Sequence, residues 1–283
     1  CDNFCSYCKV PFARGNPRSR DISDCVSAFE TLVDSGIKEV VLTGINIGKF
    51  HNGISSLLHE LIKIKGDYRI HLSSIELNHV TDELLTLFNT GKLCSHLHIP
   101  LQSGSDKILQ LMNRHYTADE FTSLMLTIKD KIGHINLTTD VITGFPGETE
   151  EDFEKTVNLL KKLQFSHVHT FRYSPRAGTA AVKLKNKVQE KIASERSEII
   201  RQLSETQKEF YIRQFFNLPL RFLAEKNTIK DGIYYTSGKT DNYIDVYIPG
   251  KLKPGEFYTI SILSIENGNT LGTLINEGES IGV

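Results

Sequence analysis

From about residue 20 to residue 175 the chain alternates short β-rich runs with longer amphipathic runs, and no other feature narrows the fold as far. The β-rich runs are residues 39–43, 69–74, 96–101, 135–143 and 167–173. The first reads Glu39-Val40-Val41-Leu42-Thr43, a short apolar run of the type buried in a parallel sheet. Helix starts stand between the runs. Thr81 precedes Asp82-Glu83-Leu84-Leu85. Thr117-Ala118-Asp119-Glu120 is a capping box, and Thr149-Glu150-Glu151-Asp152 is its variant with Asp in place of Glu. Gly36 falls where the first helix should stop. Strand–helix alternation implies right-handed βαβ crossovers and a parallel sheet. Five such strands predict an open α/β barrel, whose chemistry collects at the C-terminal ends of its strands.

A long charged helix is predicted over 187–216, with Val188, Ile192, Ile199, Leu203 and Phe210 on its apolar side. After Pro219 the runs shorten to 221–225, 232–236, 244–248, 257–265 and 270–275, and Asn267-Gly268 is a type I′ hairpin signal. Five short strands with tight turns predict a small β-barrel of the OB-like kind. The expected division is an α/β domain over 1–216 and a barrel over 217–283.

The five cysteines are Cys1, Cys5, Cys8, Cys25 and Cys94. An odd number with three inside eight residues argues against a secreted disulfide framework and for a reducing, cytoplasmic compartment. No apolar run approaches the ~20 residues of a membrane helix. The net charge of −1 leaves a nucleic-acid partner open, because such partners are read from patches.

Cys1-Asp2-Asn3-Phe4-Cys5-Ser6-Tyr7-Cys8 is the strongest chemical signal. A cubane [4Fe–4S] cluster takes one thiolate per iron. Three ligands on one tight loop therefore leave one iron open, as a reactive cluster requires. Tyr7 would cover the cluster or pack beside a bound ligand. The competing reading is structural zinc, which wants four closed ligands. Cys25 lies in a predicted helix, and His51 could close such a site only by accident of folding. Cys25 and Cys94 read as buried small hydrophobes.

Other candidates follow strand ends. Gly144-Phe145-Pro146-Gly147-Glu148 predicts a type II turn, with Pro146 and Gly147 at its centre, that could approach a flat ligand; a plain strand–helix turn is the alternative. Thr43, Gly44 and Asn46 could bind amino and carboxylate groups, or merely cap a turn. Ser73, Ser74 and Glu76 could reach a ribose, although Glu76 reads equally as a solvated acid. Gln102 and Ser103 stand just beyond an apolar strand end. Asp140 falls inside a β-rich run and reads as a paired carboxylate more readily than as a site residue. Arg14, Arg18, Arg20, Arg114, Arg172 and Arg176 gather near strand ends and the cysteine loop, and together they would form a positive funnel. Tyr116, Phe171 and Tyr173 could stack on a base, with core packing preferred for Phe171. The C-terminal segment holds six Lys or Arg against eight Asp or Glu, and its Tyr234, Tyr235, Tyr243 and Tyr247 suit stacking or strand packing.

With these blocks in view, the chain resembles the radical S-adenosylmethionine methylthiotransferases. The resemblance rests on Cys1 through Arg20, on Leu42-Thr43-Gly44-Ile45-Asn46 and on His98-Ile99-Pro100-Leu101-Gln102-Ser103-Gly104-Ser105. It continues through Met112-Asn113-Arg114-His115-Tyr116-Thr117 and residues 138–149, in order along the chain. It implies a partial (β/α)6 barrel with a small RNA-binding barrel of the TRAM type. It also implies a [4Fe–4S] cluster on Cys1, Cys5 and Cys8, with S-adenosylmethionine bound through Tyr7, Thr43, Gly44, Asn46, Ser74, Glu76, Gln102, Ser103, Gly144, Gly147 and Glu148. The six arginines would then meet RNA. The phrases Cys1-Asp2-Asn3-Phe4-Cys5 and 93–100 point to the subgroup that methylthiolates N6-threonylcarbamoyladenosine at position 37 of tRNA. Relatives acting on isopentenyladenosine or on a ribosomal-protein aspartate share the other blocks, and a non-catalytic Fe–S or zinc RNA-binding module is the remaining alternative. Partners implied are a tRNA anticodon loop and a reductant such as flavodoxin or ferredoxin, with no membrane and a monomeric state. Family members hold a second cluster in an N-terminal domain. That domain and the first barrel strand are expected to be missing here, leaving cluster binding and cofactor cleavage without completed methylthiolation.

Overall fold

The structure is a computed structural model that describes residues 1–230 and 232–275. A short helix α1 (Val10–Arg14) and α2 (Ile22–Asp34) lead into β1 (Glu39–Leu42), α3 (Ile54–Lys63), β2 (Arg69–Leu72) and α4 (Asp82–Leu87). Then come β3 (His96–His98), α5 (Asp106–Leu111), α6 (Ala118–Ile132), β4 (Asn136–Thr143), α7 (Glu150–Leu163), β5 (His167–Arg172) and the long α8 (Glu190–Arg213). The expected helix starts are built. Thr117 and Thr149 close capping boxes with Glu120 and Asp152, and Thr81 accepts from the Leu84 N–H.

All five strands are parallel to their neighbours and lie in chain order. β1 pairs with β2, and β3, β4 and β5 form a second ladder. The two ladders meet at a seam, where Ile70 bridges Leu93 and the Cys94 N–H donates to the Ile70 carbonyl at 2.9 Å. β3 stops at His98 instead of residue 101, because Pro100 has no N–H and the Leu101 N–H donates to the Thr139 hydroxyl. Ile70, Leu97, Val141 and Val168 point outward and pack under the helices with Leu58, Leu84, Phe121 and Phe165. The alternate residues of the same strands face inward, toward the site.

Helix α8 lies on β5 by a face rotated from the expected one, with Leu203 still packed against the core. Ile199 and Phe210 are exposed, while Ala193, Ile200, Ser204, Gln207 and Tyr211 are buried. The reason is polar fit: Ser204 accepts from the Val168 N–H at 2.9 Å, and the Gln207 amide donates to the Leu160 carbonyl at 2.8 Å. Cys94 is buried as expected, but Cys25 is only half-buried on α2.

Beyond α8, β6 (Pro219–Lys230), β7 (Ile233–Thr240), β8 (Asp245–Pro249), β9 (Phe257–Glu266) and β10 (Asn269–Leu274) close into a barrel in the order β10-β8-β7-β6-β9. Its core is Phe222, Val246, Ile248, Ile260 and Ile262. Asn267 and Gly268 take φ of 49° and 76°, as a type I′ turn requires. Asp231, Glu277 and Glu279, three of the eight acidic residues counted above, lie outside the described residues.

The barrel is fastened to the start of β2. Arg69 is almost wholly buried and pairs with Glu39 at 2.6 Å and Asp241 at 2.9 Å. Tyr243 stacks on His71, with centroids 3.7 Å apart, and donates its hydroxyl to Glu39 at 2.8 Å. Tyr243 is thus a joint between the two parts and not a free stacking surface. Burial pushes the His71 imidazole down to about 4 and that of His96, its hydrogen-bond partner, to about 3. Both are neutral in the fold, whereas an unfolded chain protonates them near pH 6.5. Their contribution is therefore intact above that pH and is lost as pH falls toward 4, by roughly 3 kcal/mol for His71 alone. The urea midpoint should drop across this window, and His71→Gln should flatten the drop; an unchanged profile in that variant would refute the assignment.

Candidate active site

The cysteine loop is stitched to the C-terminal end of the parallel sheet. The Ser6 N–H donates to the Met112 carbonyl at 2.9 Å and its hydroxyl to the Leu111 carbonyl at 2.7 Å. The Ala181 N–H donates back to the Ser6 carbonyl at 2.8 Å. Asn113, at φ 57°, turns its amide onto the Phe4 carbonyl at 2.9 Å. Lys49, just past β1, pairs with Asp2. Tyr7 lies edge-on to Phe145, which lies edge-on to Tyr173, over a small core of Ile108, Met112 and Ala181. Burial pushes the Tyr7 phenol well above its ordinary value, and the nearby Cys5 adds to the rise, so Tyr7 is a neutral cover.

Arg114 is the hub. Its guanidinium donates to Cys5 Sγ at 3.4 Å, to the Glu76 carboxylate, and to the Tyr116 hydroxyl at 3.0 Å. The Tyr116 hydroxyl in turn donates toward the carbonyls of Pro100 and Leu101. Burial opposes the charge, yet Tyr116 and Glu76 hold the guanidinium pKa above its ordinary value. This corrects three expectations. Arg114 is buried and cannot join an exposed funnel, Tyr116 is a core residue, and Glu76 is held by Arg114 and is not a solvated acid. One buried guanidinium instead links the cysteine loop to the exits of β2 and β3.

Two further candidates are also committed elsewhere. Glu148 accepts from the Gly144 N–H at 2.8 Å and from Arg196 at 2.7 Å, and its side chain is only 2% exposed. Burial pushes its carboxyl up even so. It fastens the turn that it belongs to. That turn is of type II as expected, with the Glu148 N–H on the Phe145 carbonyl at 3.0 Å and Gly147 at φ 93°. Gly144 sits at φ 72° where a Cβ would fall 2.4 Å from that of Ala193, so glycine alone fits. Ser103 is buried and accepts from the Ser105 N–H at 3.2 Å, while Gly104 presses against Thr156. Gln102 is buried at φ 68° and donates its N–H to the Asp140 carbonyl. Asp140 lies 3.3 Å from His98 Nε2, a paired carboxylate.

Thr43, Gly44 and Ser74 are exposed at the exits of β1 and β2. Nearby, both amide atoms of Asn46 are buried without a hydrogen-bond partner, as are the hydroxyls of Ser73 and Tyr173. The fold leaves these groups unsatisfied at the ends of three strands, and a polar ligand in that mouth would satisfy them. Cys1, Cys5 and Cys8 are free, half-buried thiols. Among the described residues no three His, Cys, Asp or Glu close on a single metal ion. A cubane is wider than an ion and takes one thiolate per iron, and this loop supplies three of the four, leaving one iron open.

The rim is basic and aromatic. Arg14, Arg18, Arg20 and Arg176 are exposed, and Arg172 is exposed but paired with Glu190. Phe4 and Phe12 stand edge to face at 5.9 Å, and both are more than half exposed. Phe171, expected in the core, is 53% exposed, because β5 is an edge strand and Phe171 lines an open groove with Glu198 and Gln202 of α8. Phe4 and Phe12 were not singled out from the sequence; two large aromatics within a polar loop were the available signal. Behind the mouth, a cavity of about 630 Å³ runs along the inner face of the sheet to the C-terminal barrel.

Comparison with known proteins follows the same lines. Residues 1–160 match the profile of the Radical SAM superfamily. The chain is 37% identical, over its whole length and 63% of the relative, to threonylcarbamoyladenosine tRNA methylthiotransferase MtaB of Bacillus subtilis. It is 35% identical, over 98% of the chain and 64% of the relative, to tRNA-2-methylthio-N(6)-dimethylallyladenosine synthase of Thermodesulfovibrio yellowstonii. The chain thus spans a little under two thirds of these curated relatives. The fold resembles coproporphyrinogen III oxidase (HemN) from Escherichia coli, a radical SAM enzyme, with a TM-score of 0.56 at 14% identity, covering 85% of this chain and 64% of that one.

Proposed function

Since the chain belongs to the radical S-adenosylmethionine superfamily, we propose that Cys1, Cys5 and Cys8 would hold one [4Fe–4S] cluster with a corner left open for S-adenosylmethionine, and that the full-length protein methylthiolates N6-threonylcarbamoyladenosine at position 37 of tRNA. One observation carries the reading: three free thiols on a single loop, clamped over the strand exits by a buried arginine. The relatives named above support the methylthio transfer.

When bound, the cluster supplies the electron that breaks the sulfonium C–S bond. The chain's own residues do the rest. Asn46, with Thr43 and Gly44, offers hydrogen bonds to amino and carboxylate groups. Ser74 offers one to a ribose. The turn at Gly144 and Gly147 presents backbone to an adenine, and Tyr7 with Phe145 keeps water from the thiols. The Arg114 N–H donates toward Cys5 Sγ and holds that sulfur in place. Arg14, Arg18, Arg20 and Arg176, with Arg172 at the edge, meet phosphates. The segment 1–216 is the catalytic unit, and 217–283 is an RNA-binding barrel of the TRAM type. The partners are a cytoplasmic reductant such as flavodoxin or ferredoxin and the anticodon loop, with a monomeric enzyme and a second cluster in the full-length protein.

A second reading, transfer to a dimethylallyl-bearing adenosine, is favoured by the second relative. The full-length protein given matched anticodon stem-loops with either base should convert the threonylcarbamoyl form, seen by mass spectrometry. Conversion of only the prenylated loop, or of a ribosomal protein, would overturn the assignment.

A further inference from the structure

The inner face of the parallel sheet is unusual in being polar. His71, His96, His98, Asn136, His167 and His169 all face the cavity of about 630 Å³. Inward positions of a filled α/β barrel carry branched apolar side chains that interlock in layers. Here the outward residues supply the packing, and the inward ones keep hydrogen-bonding capacity.

The two sides of this face differ in what they offer a guest. On β2, β3 and β4 the groups hold one another, apart from His71 Nδ1, which is buried without a hydrogen-bond partner. His71 Nε2 lies 2.9 Å from His96 Nδ1, His96 Nε2 and His98 Nδ1 share the Thr138 hydroxyl at 3.1 and 2.9 Å, and His98 Nε2 faces Asp140. On the β5 side, His169 is exposed to the cavity and makes no side-chain hydrogen bond among the described residues. Lys208, from α8, lines the same wall and has a single, long ion pair, with Glu205 at 4.0 Å. An apolar guest there would strip water from an imidazole and an ammonium and return nothing. A guest with hydroxyl, carbamoyl and carboxylate groups would satisfy both.

We propose that this cavity receives the N6 substituent of the target adenine, and that His169 and Lys208 select a polar, carboxylate-bearing substituent over a prenyl group. The proposal rests on the tRNA reading and adds the physical basis of substrate choice, which the relatives divide between the two bases. Sites built to hydrogen-bond a substrate reject the analogue that lacks the group more sharply than apolar sites reject an added hydroxyl.

The test is fluorescence anisotropy with the purified chain and three anticodon stem-loops of one sequence, whose adenosine carries threonylcarbamoyl, dimethylallyl or nothing. The threonylcarbamoyl loop should bind at least about ten-fold more tightly than the prenylated one. His169→Leu and Lys208→Met should each cut that ratio severalfold, and His169→Asn, which keeps hydrogen-bonding capacity, should largely preserve it. Equal binding of the two modified loops, or a ratio untouched by either apolar variant, would overturn the assignment of the cavity alone. Failure of all three loops to bind would overturn the tRNA reading and this assignment with it.

Discussion

Cys5→Ala is expected to leave a folded chain that retains almost no iron and forms no 5′-deoxyadenosine. The loop is anchored by its backbone and by Ser6, through bonds to Met112, Leu111 and Ala181 that do not involve a thiol. Removing one sulfur therefore does not detach it. Two thiolates cannot hold a cubane, so iron after anaerobic reconstitution should fall from about four per chain to well below one. Cys25→Ala is the control. Cys25 sits half-buried on α2, and its loss should leave iron content and product unchanged. Full iron loading in Cys5→Ala would mean that some other group ligates the cluster.

The second large effect concerns stability. Arg196 and Glu148 are 7% and 2% exposed at the side chain, and they pair at 2.7 Å behind the turn at Gly144. Arg196→Met leaves a carboxylate buried with only the Gly144 N–H to serve it. Breaking a buried pair from one side costs about 3–5 kcal/mol, whereas replacing both members by apolar groups is often far milder. Urea unfolding should show Arg196→Met to be strongly destabilised, with Arg196→Met combined with Glu148→Leu recovering most of the loss. A double variant as unstable as the single one would show that the guanidinium acts through its contact with the Phe153 ring and not through charge.

The parallel architecture was readable because strand alternation and capping boxes are local patterns. All five strands fall within a few residues of their predicted spans, and Thr117 and Thr149 cap as their sequences require. What escaped was pairing across the chain. Nothing near Arg114 in sequence announces that Glu76 and Cys5 converge on it, and an arginine in a polar stretch reads as surface. Glu148 looked like a ligand because it follows a glycine turn; its partner Arg196 lies on a helix 48 residues away. Ile199 and Phe210 misled for the opposite reason. Hydrophobic periodicity marks an apolar stripe, while α8 docks by the hydrogen bonds of Ser204 and Gln207. The histidine face was invisible as well, since alternate residues share a wall only once strands are in register.

The proposed chemistry requires three thiolates to hold a four-iron cluster and leave one iron for S-adenosylmethionine. The direct measurement is anaerobic reconstitution of the chain with iron and sulfide, metal and sulfide counting, and then incubation with S-adenosylmethionine and dithionite. About four iron and four sulfide per chain, with 5′-deoxyadenosine and methionine formed together, is the predicted result. One tightly held zinc per chain, no sulfide and no 5′-deoxyadenosine would contradict it.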